Sequence, residues 1–298
     1  MVCERRIAWQ VNPLIRINLG KVGTGNQIFI FSAAYSIALK RKKVLLITSL
    51  KESSFLKNYK NANKFLKIQP MRKISYFNLF LYLQYKFPKN REAFFRIFGV
   101  KESHEIVPQN PNLTCRTKIV EGYFQDLGWL IEGKTIIKEI LSVIPESETL
   151  RQLSETKQGL TVGIHVRRGD YLNLKKTFGV LDIEYYKSCL NAINTKEIVR
   201  TLIFSDDIKW CQENFDFLGS PEFIGEEQLS SPIDTMKLMG QCDILICANS
   251  SFSISAAAIF GNPTVFAPSN IYIDHNIQET LTSSYPENWE KITPVWLH

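Results

Sequence analysis

Short apolar runs and helical stretches alternate at both ends of the chain. Residues 14–18 are an apolar run that enters a glycine-rich turn, Gly20-Lys21-Val22-Gly23-Thr24-Gly25-Asn26-Gln27. Residues 28–41 then carry apolar side chains and alanines at helical spacing, and 43–49 (KVLLITS) are short, apolar and bounded by polar residues. Strand, glycine turn, helix, strand is how a doubly wound α/β domain opens. From residue 51 to about 105 the pattern weakens. Lysines and arginines interleave there with aromatics such as Tyr76, Phe77, Phe80 and Tyr82, which predicts helices with a basic outer face. Residues 120–125 (VEGYFQ) are strand-like and 127–143 helical.

Residues 147–159 are polar and contain no strand pattern, so the boundary between two units is placed there: 1–155 and 156–298. Residues 160–166 (LTVGIHV) begin a second α/β unit. A helix is expected over 183–194, and a strand that ends at Ser205. Another helix (234–241), strand (243–248), helix (253–260) and strand (263–267) follow. The expected fold is α/β, two Rossmann-like halves facing each other.

Composition narrows the class. Of 298 residues 45% are hydrophobic and 22% charged, as in an ordinary globular protein, so general disorder is excluded. The most apolar region, 244–260, is broken by Asn249, Ser250, Ser251, Ser253 and Ser255 and is no membrane span. The N-terminus lacks the apolar block of a signal peptide, so the chain reads as cytoplasmic, at most peripherally associated with a membrane. A net charge of +7 suits an anionic ligand. No nucleic-acid-binding motif accompanies it. The six cysteines form no C-x-x-C pair and the four histidines are scattered, so reduced thiols are expected and no zinc site.

Three segments carry chemistry. Gly25-Asn26-Gln27 lies between strand and helix, where glycine admits close approach of a ligand to backbone N–H groups and the helix start favours negative charge. A plain tight turn explains it as well. His165-Val166-Arg167-Arg168-Gly169-Asp170-Tyr171 leaves a buried strand at its carboxyl end, where open α/β sheets bind their ligands. Strand alternation puts His165 and Arg167 on one side and Arg168 on the other. A guanidinium fork binds phosphate oxygens bidentately and keeps its charge, so it can neutralise a diphosphate leaving group without metal. Asp170 can orient an arginine or accept a proton; the first role is the expected one. Asp206 and Asp207 follow another apolar strand and can accept donors of a nucleoside, or one of them can cap the next helix. Asn249-Ser250-Ser251-x-Ser253 forms a second anion cradle or, again, a helix cap. No D-x-D triplet, the usual metal-holding pattern beside a nucleotide, occurs in the chain, although the adjacent Asp206 and Asp207 could hold magnesium.

Together these residues resemble the bacterial and animal α-1,2-fucosyltransferases. Val22-Gly23-Thr24-Gly25-Asn26-Gln27-Ile28-Phe29 is similar to the family's G-G-L-G-N-Q-M-F opening, and His165 to Tyr171 to its H-x-R-R-G-D-Y motif. Gly122-Tyr123-Phe124-Gln125, Leu181-Asp182-Ile183-Glu184-Tyr185-Tyr186, Phe204-Ser205-Asp206-Asp207-Ile208-x-Trp210 and Tyr285-Pro286-Glu287-Asn288-Trp289 fit further family segments in order. One departure is Ile254-Ser255-Ala256-Ala257, where the family carries tryptophans. The resemblance implies two facing Rossmann-like domains of the GT-B type and inverting transfer of L-fucose from GDP-fucose to the 2-hydroxyl of a galactose in a glycan. It also implies that no metal is needed. The first half would serve the acceptor and the second would hold GDP-fucose. By resemblance Arg167 contacts the β-phosphate, His165 and Asp206 the guanosine, and Ser250 or Ser251 the phosphates. The expected donor site is Gly25, Asn26, Gln27, His165, Arg167, Arg168, Asp206, Asp207, Asn249, Ser250, Ser251 and Ser253, with Arg167 and Asp170 catalytic.

Overall fold

The computed structural model describes residues 14–19, 22–40, 44–48, 53, 54, 56, 122–155, 159–193, 198–262, 264–278 and 285–297. The basic helices expected between 51 and 105 lie outside the described residues apart from Ser53, Ser54 and Leu56.

In the first half, β1 (Leu14–Asn18) and β2 (Val44–Thr48) pair in parallel, Leu14 opposite Val44 and Asn18 opposite Thr48. The helix between them, α1 (Thr24–Lys40), is buried on almost every face, including Ile28 to Ala34 without a break. That is why its sequence is apolar all round rather than striped. It starts a turn earlier than the spacing predicts, so Gly25, Asn26 and Gln27 belong to its first turn and not to a preceding loop. Residues 122–126 are not a strand. Gly122 (φ 144°) and Phe124 (φ 49°) both take left-handed backbone, which breaks extended geometry. Asp126 then caps α2 (Leu127–Ser142) by accepting from Gly128 N. The polar stretch chosen as a boundary holds a short helix, α3 (Glu148–Glu155), which buries only Leu150. Leu150 and the half-buried Leu153, one turn apart, are its only apolar residues, too few to mark a helix in a polar stretch.

The second half is a parallel sheet of six strands in the order β5-β4-β3-β6-β7-β8. Its elements run β3 (Leu160–Val166), a 3₁₀ turn (Asp170–Leu174), α4 (Ile183–Ala192), β4 (Ile198–Ser205), α5 (Ile208–Asn214) and β5 (Glu222–Ile224). Then come α6 (Pro232–Gln241), β6 (Ile244–Ile246), α7 (Ser251–Ala256), β7 (Thr264–Pro268), α8 (His275–Gln278) and β8 (Trp289–Ile292). Central β3 is buried on both faces, as its unbroken apolar run requires. Val162, Ile164 and Val166 face one core with Tyr185 and Tyr186 of α4. The other face packs into a core that continues through α6 and α7 to α1, α2 and Ile17, so one apolar mass joins the two halves. Edge strands β5 and β8 are three and four residues long, too short for a sequence pattern. Among the described residues no helix is long and apolar enough to cross a membrane.

Candidate active site

From β3 the chain winds outward through β4 to β5, then returns to β6 on the other side of β3 and winds outward again. Loops leaving β3 and β6 therefore diverge and open a crevice at the carboxyl ends of the strands, where such sheets hold ligands. A cavity of about 1190 Å³ lies there, closed on its far side by the first turn of α1. Gly25 makes that closure possible: a Cβ on it would stand 2.5 Å from Phe252 N and 2.6 Å from Ser251 C, in the first turn of α7.

His165, next to last in β3, faces the Phe252 ring at 5.7 Å and is only 6% exposed. Burial, aided by the charge of Arg167, pushes its pKa down to about 3, so the imidazole at this wall is neutral. Its Nδ1 has no partner among the described residues. Arg167 is held at both ends of its fork. Nη2 donates to Asp170 Oδ1 at 2.5 Å and Nη1 lies 2.8 Å from Asp206 Oδ2. Asp206 Oδ1 accepts from Arg168 N at 2.9 Å, and a Cβ on Gly169 would come within 2.5 Å of Asp206 Oδ2. That contact is why glycine follows the two arginines.

Arg168 turns away, as alternation predicts. Its Nε donates to Asp207 Oδ2 at 3.1 Å and its guanidinium covers the Trp210 ring at 3.9 Å. Asp207 caps α5, its Oδ1 accepting from Trp210 N. Thus the two adjacent aspartates divide the alternatives that the sequence leaves open: Asp206 faces the cavity and Asp207 does not. Ser250 caps α7 by accepting from Phe252 N while still lining the cavity.

Of the expected site residues, Gly25, Asn26, His165, Arg167, Asp170, Asp206, Ser250 and Ser251 line the cavity; Gln27, Arg168, Asp207, Asn249 and Ser253 do not. The latter hold its frame. Gln27 accepts from Ser53 and Ser54 and donates to Val22 O. Asn249 Nδ2 ties together the carbonyls of Phe178, Gly179 and Ile271, and Ser253 Oγ points back to Ala248 O. The sequence reading passed over Tyr123, Gln125, Lys209, Glu226 and Tyr272, which also line the cavity. For Tyr123 and Gln125 the signal was present in the Gly122–Gln125 segment; Lys209, Glu226 and Tyr272 sit in loops or on exposed faces with no pattern. Four cysteines, Cys189, Cys211, Cys242 and Cys247, are free and buried.

A doubly wound α/β protein with its cavity at the reversal of strand order, walled by an arginine between two carboxylates, is the class that fold and site define. The chain belongs to glycosyl transferase family 11, whose model matches residues 14–293, and it is a glycosyltransferase. It is 24% identical to the O-antigen biosynthesis glycosyltransferase WbnK of Escherichia coli, over 88% of this chain and 97% of that protein. It is 27% identical to an alpha-1,2-colitosyltransferase of Escherichia coli, over 78% of this chain and 82% of the other. Over 35% of this chain and 30% of the relative, it is 33% identical to human galactoside alpha-(1,2)-fucosyltransferase 1.

Proposed function

We propose that the protein transfers L-fucose from GDP-fucose to the 2-hydroxyl of a galactose residue in a glycan, inverting the anomeric centre and using no metal. The observation that carries this reading is the Arg167 fork, fixed by Asp170 and Asp206 on the cavity wall. Departure of GDP leaves negative charge on its β-phosphate, and a preorganised guanidinium meets that charge without reorganising. Ser250 and Ser251 line the cavity at the start of α7, beside His165. A neutral imidazole can accept or donate a hydrogen bond to the nucleoside without adding charge.

Support for metal independence comes from the carboxylates. Asp206 is held by Arg167 and the Arg168 amide, and Asp207 by the Arg168 side chain and the Trp210 amide, so both carboxylates already have guanidinium partners. The first half, to residue 155, would bind the acceptor and the second the donor. A second reading keeps the site and changes the sugar or the linkage: another GDP-hexose is donor, as the likeness to a colitosyltransferase favours.

Incubation with GDP-fucose and a panel of galactosides, with release of GDP and the linkage read by NMR, tests the proposal. A 1,2-linked α-fucoside is the expected product, and its yield survives excess chelator. Turnover with a different GDP-hexose alone would select the second reading. Loss on chelation with rescue by magnesium or manganese would return Asp206 and Asp207 to a metal role.

A further inference from the structure

Gln125 stands where the two halves meet. Its Nε2 donates to Asn26 Oδ1 at 2.8 Å, in the first turn of α1. Its Oε1 accepts from the hydroxyl of Tyr272, in the loop after β7. Ser251 Oγ, at the start of α7, donates to the same Asn26 Oδ1 at 2.7 Å. All four residues line the cavity.

The hydrogen bonds of this chain run from Tyr272 through Gln125 to Asn26. Burial holds the Tyr272 hydroxyl above its ordinary pKa, with Tyr171 and Tyr123 adding to the effect, so it remains a donor at neutral pH. With the Tyr272 proton given to Oε1 of Gln125, Nε2 is turned toward Asn26. With two donors on its Oδ1, Asn26 cannot turn its amide over without setting N–H against N–H. Its Nδ2 is thereby left to the cavity, and no protein acceptor takes it among the described residues. Phe124, left-handed at φ 49° and wholly buried, anchors the backbone so that Tyr123 and Gln125 on either side of it both reach the cavity.

We infer that Gln125 is a positioning residue of the transfer reaction, holding the Asn26 carboxamide with Nδ2 directed at an oxygen of the bound sugar nucleotide. The inference rests on the donor assignment proposed above. A bridge of this kind couples the approach of the two halves to the orientation of one donor, because only Asn26 satisfied from both sides is correctly turned. Orientation of a single donor contributes to turnover when it is realised in the transition state.

Gln125→Glu tests it. An ionised carboxylate can accept from Tyr272 but cannot donate to Asn26, whose amide then turns its Nδ2 to the new side chain. Turnover of GDP-fucose is expected to fall about tenfold or more near pH 8, as for a misplaced donor. The ratio of variant to wild-type turnover then rises several-fold toward about pH 4.5, as the carboxyl, ordinarily titrating at about 4.3, takes up its proton and donates again. The thermal midpoint does not follow that change, as it would if the bridge only held the fold. A ratio independent of pH, or turnover within about twofold of wild type throughout, overturns the inference. Tyr272→Phe, which removes a single oxygen, is the second variant. It releases Gln125 to rotate and should lower turnover several-fold with an unchanged thermal midpoint; unaltered turnover overturns the inference. If the wild-type protein releases no GDP from GDP-fucose with any galactoside, the functional reading itself fails. The Asn26 side-chain amide resonances then decide: Gln125→Glu moves both proton signals if the bridge holds, and unmoved signals overturn it.

Discussion

Arg167 is more than a positive charge at a strand end, because each arm of its fork has its own carboxylate. Lysine would keep the charge but has no planar fork to set between the two carboxylates and offers a phosphate no bidentate face. Arg167→Lys is therefore expected to lower turnover on the order of 10² or more in a folded protein. Near-normal turnover in steady-state assays would remove Arg167 from the reaction. Asp170 is its outer clamp, with a side chain 60% exposed. An exposed pair of this kind adds little to stability, so its value is one of orientation. Asp170→Asn should weaken GDP binding several-fold in calorimetric titration together with turnover, since a misaligned arginine harms ground state and transition state alike. Wild-type GDP affinity beside lost turnover would make Asp170 the proton acceptor instead. At this scale the motifs were legible but the division of labour was not. Nothing in Ser205-Asp206-Asp207 says which carboxylate caps α5 and which faces the cavity; that follows from the backbone turn after β4, which Gly169 admits by leaving room for Asp206.

The elements that build the cavity are those whose neighbours on both sides dictate their composition. Strand β3 reads clearly because a central parallel strand must be apolar on both faces, and its end at Val166 is the end of that run. Elements that touch the core through only two side chains, such as α3, or sit at an edge, such as β5 and β8, leave little periodicity to find. The strand expected over 120–125 fails at Phe124 for a tertiary reason: full burial of its ring outweighs the cost of left-handed backbone. The glycines of the opening turn show where element and site meet. Gly25 lies inside α1 and allows α7 to approach, so its freedom from a Cβ matters more than its φ. Gly25→Ala would drive a methyl into backbone atoms of Ser251 and Phe252, which cannot move without shifting α7. A loss of about 1–3 kcal/mol in stability is expected, with weaker turnover as the cavity wall shifts. Gly23→Ala, where a Cβ meets nothing within 4 Å, is the control and should leave the thermal midpoint nearly unchanged. Equal midpoints for the two variants would mean that α1 and α7 do not pack in this way.

For the molecule as a whole, one core running from Ile17 through α1 and α7 to Trp289 makes the cavity wall part of the folding unit. Stability should therefore report on groups in that wall. His165 is the clearest case. Its pKa is pushed down to about 3, chiefly by burial and then by Arg167, against an ordinary value of 6.5. The unfolded chain takes up a proton on this imidazole below pH 6.5, whereas the folded protein does not do so until about pH 3. Acidification through that interval thus favours the unfolded state, and above 6.5 the residue makes no pH-dependent contribution. At 1.36 kcal/mol per pH unit, the contribution lost between pH 6.5 and 5 is about 2 kcal/mol. Carboxylates add their own dependence at lower pH, so the test is a comparison. Urea unfolding of the wild type at pH 7.5 and at pH 5 is expected to show a larger drop than unfolding of His165→Gln, which has no proton to take up. The difference between the two drops should be about 2 kcal/mol in favour of the variant. Parallel drops would show that the imidazole of the folded protein is reached by water and takes up a proton like that of the unfolded chain. In that case the wall of the cavity would not be the closed, uncharged surface on which a neutral histidine can meet a nucleoside.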